Sequence, residues 1–148
     1  MAQSYSQVIL HIIFSTKNRE PEISESVRPK LHAYLATVIK SISSEVYLIG
    51  GTADHVHIAC NLPRTLNQGD FLKKIKTASS KWMKEQGIRG FYWQNGYGVF
   101  SVSKSQLSQL VEYIKHQKEH HRKKGFKEEY REFLIKYGIQ FNEEYLWN

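Results

Sequence analysis

Residues 54–62 constrain this fold more than any other part of the chain. They read Asp54-His55-Val56-His57-Ile58-Ala59-Cys60-Asn61-Leu62, an alternation that a β-strand sorts onto two faces. Val56, Ile58, Cys60 and Leu62 make an apolar face. His55, His57, Ala59 and Asn61 make a polar one. Such a strand needs a core on its first side and places both imidazoles together on the second, off the core. Just upstream, residues 45–49 form a β-branched and aromatic run that Gly50-Gly51 closes. The two runs are close enough to pair as a hairpin with a short loop.

The rest of the chain supplies partners for that hairpin. In residues 6–15, Val8, Leu10, Ile12 and Phe14 alternate with Gln7, Ile9, His11 and Ile13. The second set is itself partly apolar, so this strand is expected to be buried on both faces. Residues 24–42 turn helical, with Val27, Leu31, Tyr34, Leu35, Val38 and Ile42 on one stripe. Pro63 ends the histidine strand, and Thr65 or Asn67 can cap a helix reaching about residue 85. Its predicted core stripe is Phe71, Ile75, Ala78 and Trp82. Lys73, Lys74, Lys76, Lys81 and Lys84 occupy its other faces. An aromatic, turn-rich loop over 92–98 leads to a short strand at about 98–102. Ser103 or Ser105 then caps a helix running to about residue 121, and a charged, aromatic tail follows. The order β-α-β-β-α-β-α predicts an α+β fold, a ferredoxin-like split β-α-β with a four-stranded antiparallel sheet. Helices are expected on one face, with the other free for nucleic acid or a further layer. The last helix is additional. Residues 1–122 read as the domain and 123–148 as its arm or tail.

Lys and Arg outnumber Asp and Glu by 21 to 14, a formal charge of +7. That balance makes a polyanion a plausible partner, nucleic acid first, although many small soluble proteins are basic without one. The single cysteine, Cys60, excludes an internal disulfide and a cysteine-rich zinc site and fits a reducing cytoplasm. The apolar stretch 8–14 is short and interrupted by His11, unlike a signal peptide. No window approaches the roughly 20 apolar residues of a transmembrane helix.

Two histidines one residue apart are compatible with sheet histidines, one solvated and one hydrogen-bonded, and equally with a metal pair. Tyr113 and Gln117 sharpen the second alternative. In the helix from about residue 106, Leu107, Leu110, Val111 and Ile114 form the apolar stripe, and Tyr113 lies about 100° from its centre. Tyr113 is therefore a surface residue flanking the core or a displayed nucleophile. Gln117 sits one turn further along the same flank and is a neutral oxygen donor suited to a hard cation. His116 and His120, spaced i, i+4, lack the adjacent glutamate of the H-E-x-x-H hydrolase pattern. With Lys115, Lys118, His121, Arg122, Lys123 and Lys124 they form a basic stretch that suits phosphates or a solvated helix end.

Taken together, Gly50-Gly51 before Asp54-His55-Val56-His57, Trp93-Gln94 with Gly96-Tyr97-Gly98, and Tyr113-Ile114 with Gln117 and Glu119-His120-His121 resemble one family. It is the small single-tyrosine transposases of the HUH class in bacterial insertion sequences, including the REP-associated tyrosine transposases. The opening Ile13-Phe14-Ser15-Thr16-Lys17 is also typical, and the resemblance spans residues 6–121 and extends to the tail. It implies an RRM-like fold, His55, His57 and Gln117 as ligands of Mg²⁺ or Mn²⁺, and Tyr113 as a nucleophile that forms a 5′-phosphotyrosine. It also implies single-stranded DNA with hairpin ends as substrate and a homodimer in which the tyrosine helix can complete the partner's site. Lys73, Lys74, Lys81, Lys115 and Arg122 are the expected phosphate contacts, and Trp93 or Tyr97 could stack bases or pack internally. The competing readings are a non-catalytic single-stranded nucleic-acid-binding module on the same fold, a zinc hydrolase, and a transposase domesticated by its host.

Overall fold

The histidine strand forms as β3 (His55–Asn61) and is paired antiparallel on both sides. In the computed structural model, which describes residues 3–42, 44–117, 119 and 124–147, β1 (Ile9–Ser15) sets Ile13 opposite His57 and Ser15 opposite His55. On the other side β2 (Val46–Gly51) sets Gly50 opposite His57. β4 (Gly98–Val102) pairs with the outer edge of β1. The order is β2-β3-β1-β4, every neighbour antiparallel. This is the ferredoxin-like arrangement: β3 fills the gap between β1 and β2, and β1 the gap between β3 and β4.

Helices α1 (Arg28–Ser41) and α2 (Gln68–Glu85) cover the apolar face. Leu10, Ile12 and Phe14 of β1 and Val56, Ile58 and Cys60 of β3 pack there against Leu31, Leu35, Ile39, Phe71, Leu72 and Ile75. Asn67 caps α2, its Oδ1 accepting from the Asp70 amide at 2.8 Å. The buried stripe of α2 is Phe71, Leu72, Ile75, Ser79 and Met83, rotated slightly from the expected one. Trp82 is only partly buried and stacks on Tyr34. A bulky amphipathic ring serves the rim of the interface, while the flexible thioether of Met83 fills the interior.

The second face of the sheet is covered too. Helix α3 (Leu107–Lys115) follows a 3-10 turn at Lys104–Gln106, and a further helix, α4 (Phe126–Lys136), comes from the tail. Phe126, Tyr130 and Leu134 of α4 form a second apolar cluster with Ile13 and Phe100. His55 and His57 are consequently 0% exposed, where the alternation of β3 alone suggested an open polar face. Ile9, Ile13 and Phe100 lie on that face as well, and leaving them in water would cost more than burying the histidines among partners. Neither Ser103 nor Ser105 caps α3; their hydroxyls bond each other at 3.0 Å. The helix expected to run to residue 121 is interrupted: α3 ends at Lys115, and Gln117 and Glu119 are again helical. His116 takes φ −102°, ψ 24°, and Gln117 lies beyond this break.

Both covering helices approach over a glycine. A Cβ on Gly50 would stand 2.7 Å from the Ile114 carbonyl oxygen and 2.7 Å from its Cγ2; one on Gly98 would stand 2.7 Å from the Tyr130 ring. Gly50→Ala must therefore push the α3 backbone off β2. We expect it to destabilise the protein by about 1–3 kcal/mol, read as a fall of roughly 2–4 °C in Tm per kcal/mol. No helix among the described residues is long and apolar enough to cross a membrane.

Candidate active site

The two imidazoles of β3 are oriented from behind. His55 Nδ1 lies 2.7 Å from Asp54 Oδ1 and 3.0 Å from Thr52 Oγ1, and Thr52 Oγ1 also reaches Asp54 Oδ1 at 3.1 Å. His57 Nδ1 lies 2.8 Å from His11 Nε2, with the two rings stacked at 5.0 Å. Burial first, then the neighbouring His57, holds the His11 pKa well below the usual imidazole range, so His11 is neutral and can accept from His57. A carboxylate or neutral acceptor on Nδ1 fixes the tautomer that leaves Nε2 as a lone pair, as in metal-binding histidines.

Oxygens face those Nε2 atoms. Gln117 Oε1 stands 3.2 Å from His55 Nε2, with the Gln117 amide nitrogen donating to the Tyr113 carbonyl at 3.4 Å. Glu129 Oε1 stands 3.0 Å from His57 Nε2 and 3.9 Å from His55 Nε2. His55, His57 and Glu129 form a buried group whose ligand atoms all lie within 4.8 Å of one another. With both Nδ1 positions taken, this is a ring of acceptors, which repel one another unless a proton or cation lies among them. Two imidazoles with amide and carboxylate oxygens suit a borderline or hard divalent cation. The residues present fit a metal.

Tyr113, on α3, meets this group from the side. Its hydroxyl donates to Glu129 Oε2, and its ring lies edge-on to His57 at 5.8 Å and to His11 at 6.4 Å. Burial, and next the Glu129 carboxylate, raise its pKa well above the usual phenol range. The phenol is thus held protonated. A cavity of about 460 Å³ opens beside it, lined by His11, Val102, Leu110, Tyr113, Glu129 and Lys136 among others.

The family model for IS200-like transposases matches residues 4–117 of this chain. The chain belongs to the IS200-like transposase family. It is 27% identical over 118 residues to the ISDra2 transposase TnpA of Deinococcus radiodurans, covering 75% of this chain and 84% of that protein. It is 28% identical over 116 residues to the transposase of insertion sequence IS200 from Salmonella typhimurium, covering 74% and 76%. Among solved structures, a candidate transposase from Deinococcus radiodurans superposes with a TM-score of 0.63 at 24% identity, covering 79% of this chain and 96% of that one. A REP-associated tyrosine transposase bound to a REP hairpin gives 0.61 at 15% identity, covering 82% and 73%. These two structures share the fold. The family's proteins are DNA-cleaving enzymes, and its shared region includes every site residue read from the sequence except Arg122.

Within this family member, the basic residues separate. Lys73 and Lys81 line a groove of about 640 Å³ over α2 with Tyr92, Trp93 and Tyr97, and Lys74 is exposed nearby. The Trp93 indole is a core residue, its N–H donating to the buried Ser79 Oγ at 2.9 Å. Tyr97 is partly buried against the core, whereas Tyr92 is exposed with Lys84 Nζ 4.1 Å from its ring centre. Lys76 holds the loop instead: its Nζ reaches the carbonyls of Gln94, Asn95 and Gly96 at 2.6, 3.3 and 2.9 Å, and burial lowers its pKa to about 8. Lys115 is exposed and pairs with Glu112 at 3.4 Å. His116 is exposed. Arg122, like Lys118, His120, His121 and Lys123, lies outside the described residues.

Three members of the site, Thr52, His11 and Glu129, were not read from the sequence; Thr52 sits in a short loop with no pattern to mark it. His11 is the single imidazole in an apolar strand, and its alternation with Leu10 and Ile12 puts it on the same face as Ile13. Glu129 falls on the stripe of Phe126, Tyr130, Phe133 and Leu134. A carboxylate at the apolar spacing of a helix is the signal that was available.

Proposed function

We propose that this chain cuts and rejoins single-stranded DNA through a 5′-phosphotyrosine on Tyr113, using a divalent cation, Mg²⁺ or Mn²⁺, held by His55, His57 and Gln117. The observation that carries the reading is the placement of the Tyr113 hydroxyl one carboxylate away from two histidines whose Nε2 atoms converge. The cation, when bound, polarises a non-bridging phosphate oxygen and fixes the orientation of the phosphate. Asp54, Thr52 and His11 hold the two imidazoles in the ligating tautomer. Tyr113 oxygen attacks phosphorus as its proton passes to the Glu129 carboxylate that accepts its hydrogen bond. The bond from phosphorus to the 3′-oxygen breaks, and that oxygen departs with the electron pair and gains a proton. The reverse step, with the 3′-hydroxyl of another strand, restores the diester and the free phenol without ATP. Lys73, Lys74, Lys81 and Lys115 are proposed phosphate contacts, hairpin ends the proposed substrate, and a homodimer the proposed assembly.

Labelled hairpin oligonucleotides incubated with the protein and Mg²⁺ or Mn²⁺ test this reading. A band that is shifted on a denaturing gel, and vanishes when EDTA is added or the duplex form replaces the single strand, is the expected result. Cleavage that persists in EDTA contradicts it. A second expectation concerns His11. His11→Leu takes away the acceptor that orients His57, and Mn²⁺ affinity should fall by about 10–100-fold, measured by calorimetry.

A further inference from the structure

One residue on the buried face of α4 is charged. That face is built from Phe126, Tyr130 and Leu134, yet Glu129 lies on it and is 3% exposed. A carboxylate so deep is costly unless it is paired. Its two oxygens divide the site between them. Oε1 faces His57 Nε2 at 3.0 Å and His55 Nε2 at 3.9 Å, and Oε2 accepts the Tyr113 hydroxyl. Ligands of one octahedral cation at about 2.1 Å stand about 3.0 Å apart as neighbours and about 4.2 Å apart as opposites. His57 to Glu129 at 3.0 Å and His55 to Gln117 at 3.2 Å match neighbouring ligands, and His55 to Glu129 at 3.9 Å lies between the two spacings.

We infer that Glu129 is a fourth protein ligand of the cation and the residue that positions Tyr113 beside it, which makes the C-terminal helix part of the active site. This rests on the metal-dependent function proposed above. Glu129 lies beyond residues 4–117, the region that the family model matches, and comes from the C-terminal helix. Among the four ligands it supplies the one negative charge and a second oxygen. Both shift preference toward hard cations such as Mg²⁺ and Mn²⁺. One oxygen on the cation and the other on the phenol also fix the spacing between cation and nucleophile within a single chain.

Mn²⁺ binding to the full-length chain, followed by calorimetry and by the electron paramagnetic resonance of free Mn²⁺, tests the inference. Glu129→Gln keeps the shape and removes the charge. It should weaken Mn²⁺ binding at least about tenfold while the Tm of the metal-free protein stays within a few degrees. Unchanged or tighter binding overturns the inference, because the carboxylate then competes with the cation for the imidazoles. If Glu129→Gln melts early, Glu129→Asp carries the same test: its carboxylate is drawn back by one methylene, affinity should still fall several-fold, and an unchanged affinity overturns the inference. His57→Ala separates the two levels. Binding lost in His57→Ala but intact in Glu129→Gln refutes the role of Glu129 alone. No Mn²⁺ binding by the wild-type chain refutes the metal reading and this inference with it.

Discussion

Tyr113→Phe abolishes covalent capture of DNA, a loss of more than about a thousand-fold in adduct yield, and leaves DNA binding intact. The expectation follows from what the substitution removes. The phenylalanine ring keeps the edge-on packing of Tyr113 against His11, His57 and Phe133, so α3 stays seated on the sheet. Only the hydroxyl goes, and with it the oxygen that forms the bond to phosphorus; a missing nucleophile is not replaced by the remaining groups of its site. Glu129 loses one hydrogen-bond partner, at a cost of about 1–3 kcal/mol, which thermal melting reads. Denaturing gels measure the adduct and native gels the binding. Wild-type adduct yield in Tyr113→Phe is incompatible with the mechanism.

The second large effect is at His57. His57→Ala removes the Nε2 that faces Glu129 and the Nδ1 that holds His11, so one substitution breaks the ligand set and its support. Cleavage should drop by more than about a hundred-fold. The stabilising effect of Mn²⁺ should vanish as well. A ligand present at about 100 times its Kd stabilises the native state by about 2.7 kcal/mol, so the wild-type protein melts higher with Mn²⁺ than without, and His57→Ala melts at the same temperature in both. Binding of DNA at low salt should persist, because the proposed phosphate contacts Lys73, Lys74, Lys81 and Lys115 are untouched. An Mn²⁺-dependent rise in Tm that survives in His57→Ala moves the metal away from β3.

Much of this arrangement was legible in local patterns. The alternation of residues 54–62 gave β3 its two faces and put His55 and His57 on the same one. Asn67 announced the start of α2, and the order of elements matched the sheet order β2-β3-β1-β4. The face opposite α1 and α2 was not legible, because a strand's pattern reports polarity and not what will cover it. For that reason His55 and His57 read only as lying off the core, on a face open to nucleic acid or to a further layer. Their cover depends on a helix more than sixty residues away in sequence, whose apolar stripe finds Ile13 and Phe100 only in the folded sheet. The same long-range contact explains Glu129, which in sequence is one acid in a charged tail. It also explains the end of α3. Propensity favours helix through residues 115–121, but the helix breaks at His116, and beyond it Gln117 is buried with its oxygen toward His55. Position on a helix face suggested Tyr113 and Gln117 as a pair; which carboxylate joined them was a matter of tertiary structure.

If Tyr113 becomes joined to DNA, the joined residue can be mapped. The protein is incubated with a cleavable hairpin oligonucleotide and Mn²⁺, digested with trypsin and nuclease, and its peptides are weighed and sequenced by mass spectrometry. Residues 105–115 form one tryptic peptide with a single tyrosine, Tyr113. The expected result is a nucleotide phosphate on that tyrosine, dependent on metal. A nucleotide on any other residue, or DNA cleaved with no protein attached, contradicts it.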